Sequence, residues 1–395
     1  MKIIKRDYLK DLISIIGTPD IKVITGVRRS GKSKLLEEFK KYIQKNIKNN
    51  NIIEINFNSL DFEELKEYHK LNDYIESKYK ENFNNFILID EVQMCEGFEK
   101  TINSLHASEK YDIYITGSNT FLLSSDLATL FTGRTFEIEI FPFSFKEYIE
   151  YYGYKDIDEA FNNYIYEGGM SGSYLYEEND KKYDYILDVY KTLIVRDIVK
   201  KYNIKNIELF DNITNFMMDN ISNLTSIRSI TNYLNQYYNE VNHKTIGAYI
   251  QYLCNSFLFY KIKRYDIQRK KYLKTIDKYY LVDPTFKYAK LGIKNVNYGR
   301  NYENIVAIEL MRRGYEIYVG ELYNSEVDFV AMKRNEKIYI QVSDNIENEK
   351  TFQREVNSLL KIKDAYPKII IARTKHDMYL YEGIQVYDIA RWLNS

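Results

Sequence analysis

The chain has 395 residues, too many for one ordinary hydrophobic core, so two or three domains are expected. Apolar residues make up 45% and charged ones 28%, a balance that excludes a fibrous or largely disordered chain. Lysine plus arginine and aspartate plus glutamate both number 56, so overall charge favours no class of partner and only local clusters are informative.

Residues 6–16 read as a short helix that ends near Gly17 and Pro19. The apolar run 21–24 reads as a buried strand. It leads into Gly26-Val27-Arg28-Arg29-Ser30-Gly31-Lys32-Ser33, which fits G-x-x-x-x-G-K-[ST], and helix-forming residues 34–40 follow. Gly26 and Gly31 permit backbone angles that a side chain would block. Successive N–H groups can then face one phosphate, with the positive end of the next helix behind them. Lys32 supplies a mobile charge for the outer phosphates. Ser33 can join a magnesium ion, which prefers oxygen ligands and phosphate. The segment 26–34, Lys34 included, is thus a candidate site for ATP with Mg2+.

Strand 52–57 and a surface helix over 60–79 come next. In 86–91, Phe-Ile-Leu-Ile-Asp-Glu, the lack of polar alternation predicts a strand buried on both faces, as in a parallel sheet. Its two acids fall at the strand's carboxyl end, where open α/β sheets bind ligands. Asp90 suits a magnesium ligand and Glu91 a general base for the attacking water. Strand 112–116 ends at Gly117-Ser118-Asn119. Asn119 or Ser118, with Thr116 behind, can orient that water, and either can also cap the helix starting near Thr120. Arg134 sits in a turn before strand 135–140. It is a candidate for reaching a γ-phosphate in its own chain or a neighbour's, and equally an ordinary surface arginine.

The glycine loop, the ILIDE strand, the ITGSN strand end and the GR-plus-FPFSFKEY segment together resemble the AAA+-type ATPases of archaea and bacteria that carry a C-terminal domain of unknown function. The resemblance implies ATP hydrolysis, a sensor role for Asn119 and a trans-acting arginine, for which Arg134 is the candidate.

Residues 151–215 read as a helical lid or linker, with Gly168-Gly169 as a hinge or tight turn. In 216–298, helices over 226–237 and 244–253, the second capped by Asn242, precede strands 257–265 and 277–282. This is helix-turn-helix plus wing, the layout of a winged-helix domain. The span 261–278 holds eight lysines or arginines and two aspartates, locally about +6 (8 minus 2). Lys261, Lys263, Arg264, Lys274 and above all Arg269, Lys270 and Lys271, with Lys244 at the second helix, are candidates for tracking phosphates of double-stranded DNA. A solvated hairpin used for protein contacts is the alternative.

Residues 299–395 form a third unit. A helix over 301–312 with Glu303, a strand with Asp328 and the strand 337–343 resemble the restriction-endonuclease-like fold. In active members Asp and Glu hold magnesium and a lysine assists water. Here the third motif reads Gln341-Val342-Ser343, so serine stands where the lysine is needed and a degenerate domain is expected.

No window approaches 18 uninterrupted apolar residues, so no membrane span is expected. The start of the chain is too charged for a signal peptide. Cys95 and Cys254 cannot build a disulfide framework, and the four histidines lack metal-ligand spacing. A cytoplasmic α/β ATPase in three parts is the expectation: a P-loop domain over 1–150, a helical and winged-helix middle, and a nuclease-like end. An ATP-gated nuclease and a nucleotide-switched scaffold are the alternatives, and a homo-oligomer is open.

Overall fold

Strands that are apolar on both faces must be covered on both faces, and residues 3–140 achieve this with a sheet between two helical layers. The computed structural model describes residues 4–117, 131, 133–236, 238, 241–293, 296–323 and 325–395, and only the backbone of 196 and 273–275. Strands β1 (Ile21–Thr25), β2 (Asn50–Asn56), β3 (Asn84–Asp90), β4 (Tyr111–Thr116) and β5 (Thr135–Glu139) lie in the order β2-β3-β4-β1-β5, all neighbours parallel. The parallel α/β class expected for this part is the one observed.

Burial explains the order. Every residue of β1 is buried, and in β3 only Asn84 is exposed. The edge strand β2 alternates instead, and in β5 only Ile138 is buried. Side chains of a strand alternate between faces. Ile87 and Ile89 therefore pack with helices α3 (Tyr68–Ser77) and α4 (Phe98–Ala107), while Phe86 and Leu88 pack with α1 (Tyr8–Ser14) and α2 (Lys32–Asn46). Lys22 is the exception in β1. It is fully buried and neutralised, with its ammonium 2.5 Å from Asp112 Oδ1 and 2.6 Å from the Thr18 carbonyl.

Residues 141–254 and 258–395 form the second compact unit. It opens with helices α5 (Phe145–Tyr152), α6 (Ile157–Glu167), α7 (Asn179–Thr192) and α8 (Ile207–Asp219). The glycine pair between α6 and α7 is a packed seam and has no room to act as a hinge. A Cβ on Gly169 would lie 2.3 Å from the Phe143 carbonyl oxygen, and one on Gly168 would lie 2.2 Å from Asp283 Oδ1. Asp283 is buried there and accepts from Gly169 N at 2.6 Å and Thr285 N at 2.9 Å.

The strand β6 (Leu224–Thr225), helices α9 (Ile227–Leu234) and α10 (His243–Asn255), and the hairpin β7 (Phe259–Asp266) and β8 (Lys271–Leu281) follow. Asn242 caps α10 as expected, accepting from Lys244 N at 2.8 Å, and Ile246, Tyr249, Ile250 and Leu253 are its buried face. After α11 (Tyr298–Arg312) come β9 (Glu316–Leu322), β10 (Ser325–Lys333), β11 (Glu336–Ser343), α12 (Glu349–Leu360), β12 (Lys368–Ala372), β13 (Tyr379–Tyr381) and β14 (Ile384–Asp388). All nine strands share one mixed sheet, ordered β13-β14-β12-β11-β10-β9-β7-β8-β6. The hairpin is therefore not a free projection: β7 pairs in parallel with β9, Arg264 opposite Val319. Among the described residues no helix is long and apolar enough to cross a membrane.

Candidate functional site

β1 stops at Thr25 and α2 starts at Lys32, so residues 26–31 are the connecting loop. Gly26 has φ +135°, and a Cβ there would lie 2.2 Å from the Ile140 carbonyl oxygen. Gly31 has φ +106° and stands immediately before the first turn of α2. Arg29 between them also lies in the left-handed region. This backbone gathers amides at a helix N-terminus, where the dipole favours an anion. Lys32 is buried and folds back over the loop, donating to the carbonyls of Gly26 at 2.8 Å and Val27 at 3.0 Å. Val27 and Ser30 are buried, Arg28 is half-buried, and Arg29 and Ser33 are exposed. Lys34 is exposed and pairs with Glu37 at 2.7 Å on the surface of α2.

The acids sit at the same edge of the sheet. Ile24 is in register with Thr116, and Ile89 with Ile115, so the carboxyl ends of β1, β4 and β3 are level. Two strand spacings put loop and acids about 10 Å apart, room for a phosphate tail and one cation. Asp90 and Glu91 are both buried. Thr116, fully buried at the end of the intervening strand, ties them together. Its hydroxyl donates to Asp90 Oδ1 at 2.5 Å and accepts from Glu91 N at 3.0 Å. Glu91 has φ 58° and ψ 48°, left-handed for a residue with a side chain, and its carboxylate accepts from Gln93 Nε2. Such backbone strain persists only where neighbours enforce it.

The residues fit a polyphosphate with a hard cation. The hydroxyls of Thr25 and Ser30 are buried without a hydrogen-bond partner, so polar capacity is left over beside the loop. Ser33 and Asp90 supply oxygens of the kind magnesium prefers. Asn119 and Ser118 lie outside the described residues. Arg134 is not brought to this edge. Its carbonyl accepts from Ile21 N at 2.8 Å, and Thr135 pairs with Ile21 at the start of β1. A five-residue strand of about 16 Å separates it from the loop, further than a guanidinium of the same chain reaches.

The basic candidates divide by partner. Lys244 is exposed in the first turn of α10, and Arg269, Lys270 and Lys271 are exposed at the hairpin turn. Lys261 is paired with Asp277 at 2.9 Å and Arg264 with Glu321 at 2.8 Å. The side chain of Lys274 lies outside the described residues. In the same span, Lys278 is buried and points into the nine-stranded unit. Its ammonium is 2.8 Å from Glu303 Oε1, 2.6 Å from Glu326 Oε1 and 3.8 Å from Asp328 Oδ1.

Lys278 of β8 thus places one positive charge among three carboxylates of α11 and β10. In the sequence Lys278 counts only toward the basic total of the span 261–278, and no local signal separates it from its seven basic neighbours. Both polar atoms of the Gln341 side chain are engaged. Its carbonyl accepts from Asp328 N at 2.7 Å and its amide donates to Glu355 at 2.7 Å. Burial pushes the Asp328 and Glu303 carboxyls above the usual carboxylate range, and the Lys278 ammonium pulls both back. For Lys278 itself, burial opposes the charge, but the surrounding carboxylates outweigh it and raise its pKa. Cys95 and Cys254 are free thiols that burial pushes up to about 12, so both stay protonated at neutral pH.

Comparison with known proteins agrees with the loop's geometry. Residues 18–149 match an AAA domain, and residues 158–297 match a domain of unknown function (DUF8612). A protein of Haemophilus influenzae is 38% identical over 395 residues, covering 98% of each chain. Protein MJ1544 of Methanocaldococcus jannaschii is 30% identical over 384 residues, 92% of this chain and 82% of that one. Among solved structures, AMPPCP-bound DnaA from Aquifex aeolicus is similar at a TM-score of 0.33 and 18% identity, over 62% of this chain and 85% of that one. The Aeropyrum pernix ORC1 protein in complex with DNA is similar at 0.32 and 11% identity, over 73% and 93%. With an AAA domain at its start and near full-length matches to the two relatives, the chain belongs to the family that includes the Haemophilus influenzae protein and MJ1544.

Proposed function

We propose that the protein binds ATP with Mg2+ at residues 26–33 and hydrolyses it. The observation that carries this is the meeting of the glycine loop with Asp90 and Glu91 at one sheet edge, tied through Thr116. Lys32 leaves the Gly26 and Val27 carbonyls for phosphate oxygens. Ser33 and Asp90 hold the magnesium ion, which neutralises phosphate charge when bound. Glu91 takes the proton of the attacking water, and Asn119 orients that water. With Arg134 at the far end of β1, its part in hydrolysis requires the nucleotide of a neighbouring copy, so a homo-oligomer belongs to this proposal; an ordinary surface arginine is the alternative. Phosphate release that requires both ATP and Mg2+ supports this reading; tight ATP binding without release would favour the nucleotide-switched scaffold instead.

The strand, helix pair and hairpin of residues 224–281 have the winged-helix layout, and its exposed cations support coupling of nucleotide state to double-stranded DNA. Each phosphate neutralised contributes about 0.9 to the slope of log affinity against log salt. Replacing Arg269, Lys270 and Lys271 together by alanine is therefore expected to flatten that slope by about 2 to 3. An unchanged slope in a filter-binding series would leave the hairpin as a protein contact. The restriction-endonuclease-like unit is read as degenerate, because Lys278 occupies the carboxylate cluster and the Gln341 side chain is held between Asp328 N and Glu355. Plasmid nicking lost on Asp328→Ala would restore the ATP-gated nuclease.

A further inference from the structure

Arg6 lies before the segment that matches the AAA domain and outside the glycine-loop motif. It is nevertheless buried, and its Nη1 donates to the Ser30 carbonyl at 2.8 Å, also buried. A Cβ on Gly31 would lie 3.5 Å from the same nitrogen. The guanidinium therefore sits against the middle of the phosphate loop. Its position is fixed from its own side. The Arg6 carbonyl accepts from Leu9 N at 3.1 Å, and the guanidinium lies 4.9 Å from the Tyr8 ring centre. Leu9 and Leu12 of α1 are buried in the core that includes Leu35, Leu36 and Phe39 of α2. The short first helix thus holds one cation against the loop that α2 extends.

The chemistry follows from the peptide unit. A loop that turns its N–H groups toward a phosphate turns the carbonyls of the same peptides away from it. A donor on the Ser30 carbonyl is consequently behind the loop, not in the ligand's place. The Ser30 oxygen and the Gly31 N–H belong to one conjugated amide. Pulling electron density onto the oxygen makes the N–H a stronger donor, and a charged donor pulls hardest. The same hydrogen bond holds the carbonyl away from the phosphate.

We propose that Arg6 is a positioning residue for the phosphate loop, orienting and polarising the Ser30–Gly31 peptide so that its N–H binds the nucleotide's phosphates. This rests on the nucleotide reading of residues 26–33. It adds a requirement from the N-terminal segment that the loop motif does not contain.

The test compares Arg6→Gln, a neutral donor, with Arg6→Lys, a charged one, in the full chain. ADP and ATP affinity are measured by titration, and melting temperature is measured without ligand. Charged hydrogen bonds are roughly twice as strong as neutral ones, so Arg6→Gln is expected to bind ADP about ten-fold more weakly, with Arg6→Lys within about three-fold of the parent. Equal ADP affinity in the parent and Arg6→Gln would overturn the proposal and leave the nucleotide reading intact. Equal weakening in both variants, tracking a lowered melting temperature, would also overturn it, since packing alone would then explain the loss. A parent that binds no nucleotide would overturn both.

Discussion

Replacing Glu91 by glutamine is expected to slow steady-state ATP hydrolysis by about a hundred- to ten-thousand-fold, the range a lost general base produces, while ATP binding persists. Glutamine keeps the length of the side chain and an oxygen able to accept from Gln93. It also keeps the backbone N–H that donates to Thr116. What it lacks is a group that takes a proton at neutral pH. The left-handed backbone at position 91 is held by the Thr116 hydrogen bond, which the substitution does not touch, so the melting temperature should not change. Release of phosphate by the variant at the parent's rate would show that Glu91 is not the base.

Lys278→Met should have the largest effect on stability. Methionine fills the aliphatic volume but leaves Glu303, Glu326 and Asp328 facing each other without the ammonium now 2.8, 2.6 and 3.8 Å from them. Removing one partner of a buried ionic group costs about 3–5 kcal/mol, because the remaining charge is left uncompensated. The sign of the pH dependence is fixed by the same cluster. Burial already raises the folded-state pKa of Glu303 and Asp328, and Lys278 lowers it. Without the lysine both rise further. A carboxyl whose folded pKa lies above its unfolded value loses stability as pH climbs from the unfolded toward the folded value. The variant's deficit should therefore be larger at pH 8 than at pH 5, read as the difference in melting temperature from the parent at each pH. A deficit that does not grow with pH would mean that the cluster is not ionised as drawn.

The central parallel strands were legible because burial on both faces leaves an uninterrupted apolar run, as in Phe86 to Ile89. The glycine loop was legible because Gly26 and Gly31 are required by backbone geometry at fixed spacing. Asp90 and Glu91 were legible as the polar end of a buried strand. The failures share a cause, which is that partners distant in sequence decide them. Lys278 and Lys271 have the same chemistry and lie in one basic span, yet one is buried among carboxylates contributed by α11 and β10 and the other is exposed. The β7–β8 hairpin looked free because nothing within it announces a parallel partner more than fifty residues later in β9. Gly168 and Gly169 left a hinge and a tight turn open, since glycine serves mobile and tightly packed backbone alike; Asp283 and Phe143 decide against the hinge. Arg6 read only as the first residue of a short helix, because its acceptor is a backbone carbonyl, which leaves no trace in the pattern of side chains.

The most direct measurement is a calorimetric titration of the full chain with ATP in the presence of Mg2+, run for the parent and for Lys32→Ala. One ATP per chain for the parent, with affinity lowered at least about a hundred-fold in the variant, is expected when a buried ammonium that should contact phosphate is removed. Identical isotherms for the two proteins, or no heat of binding from either, would contradict the account.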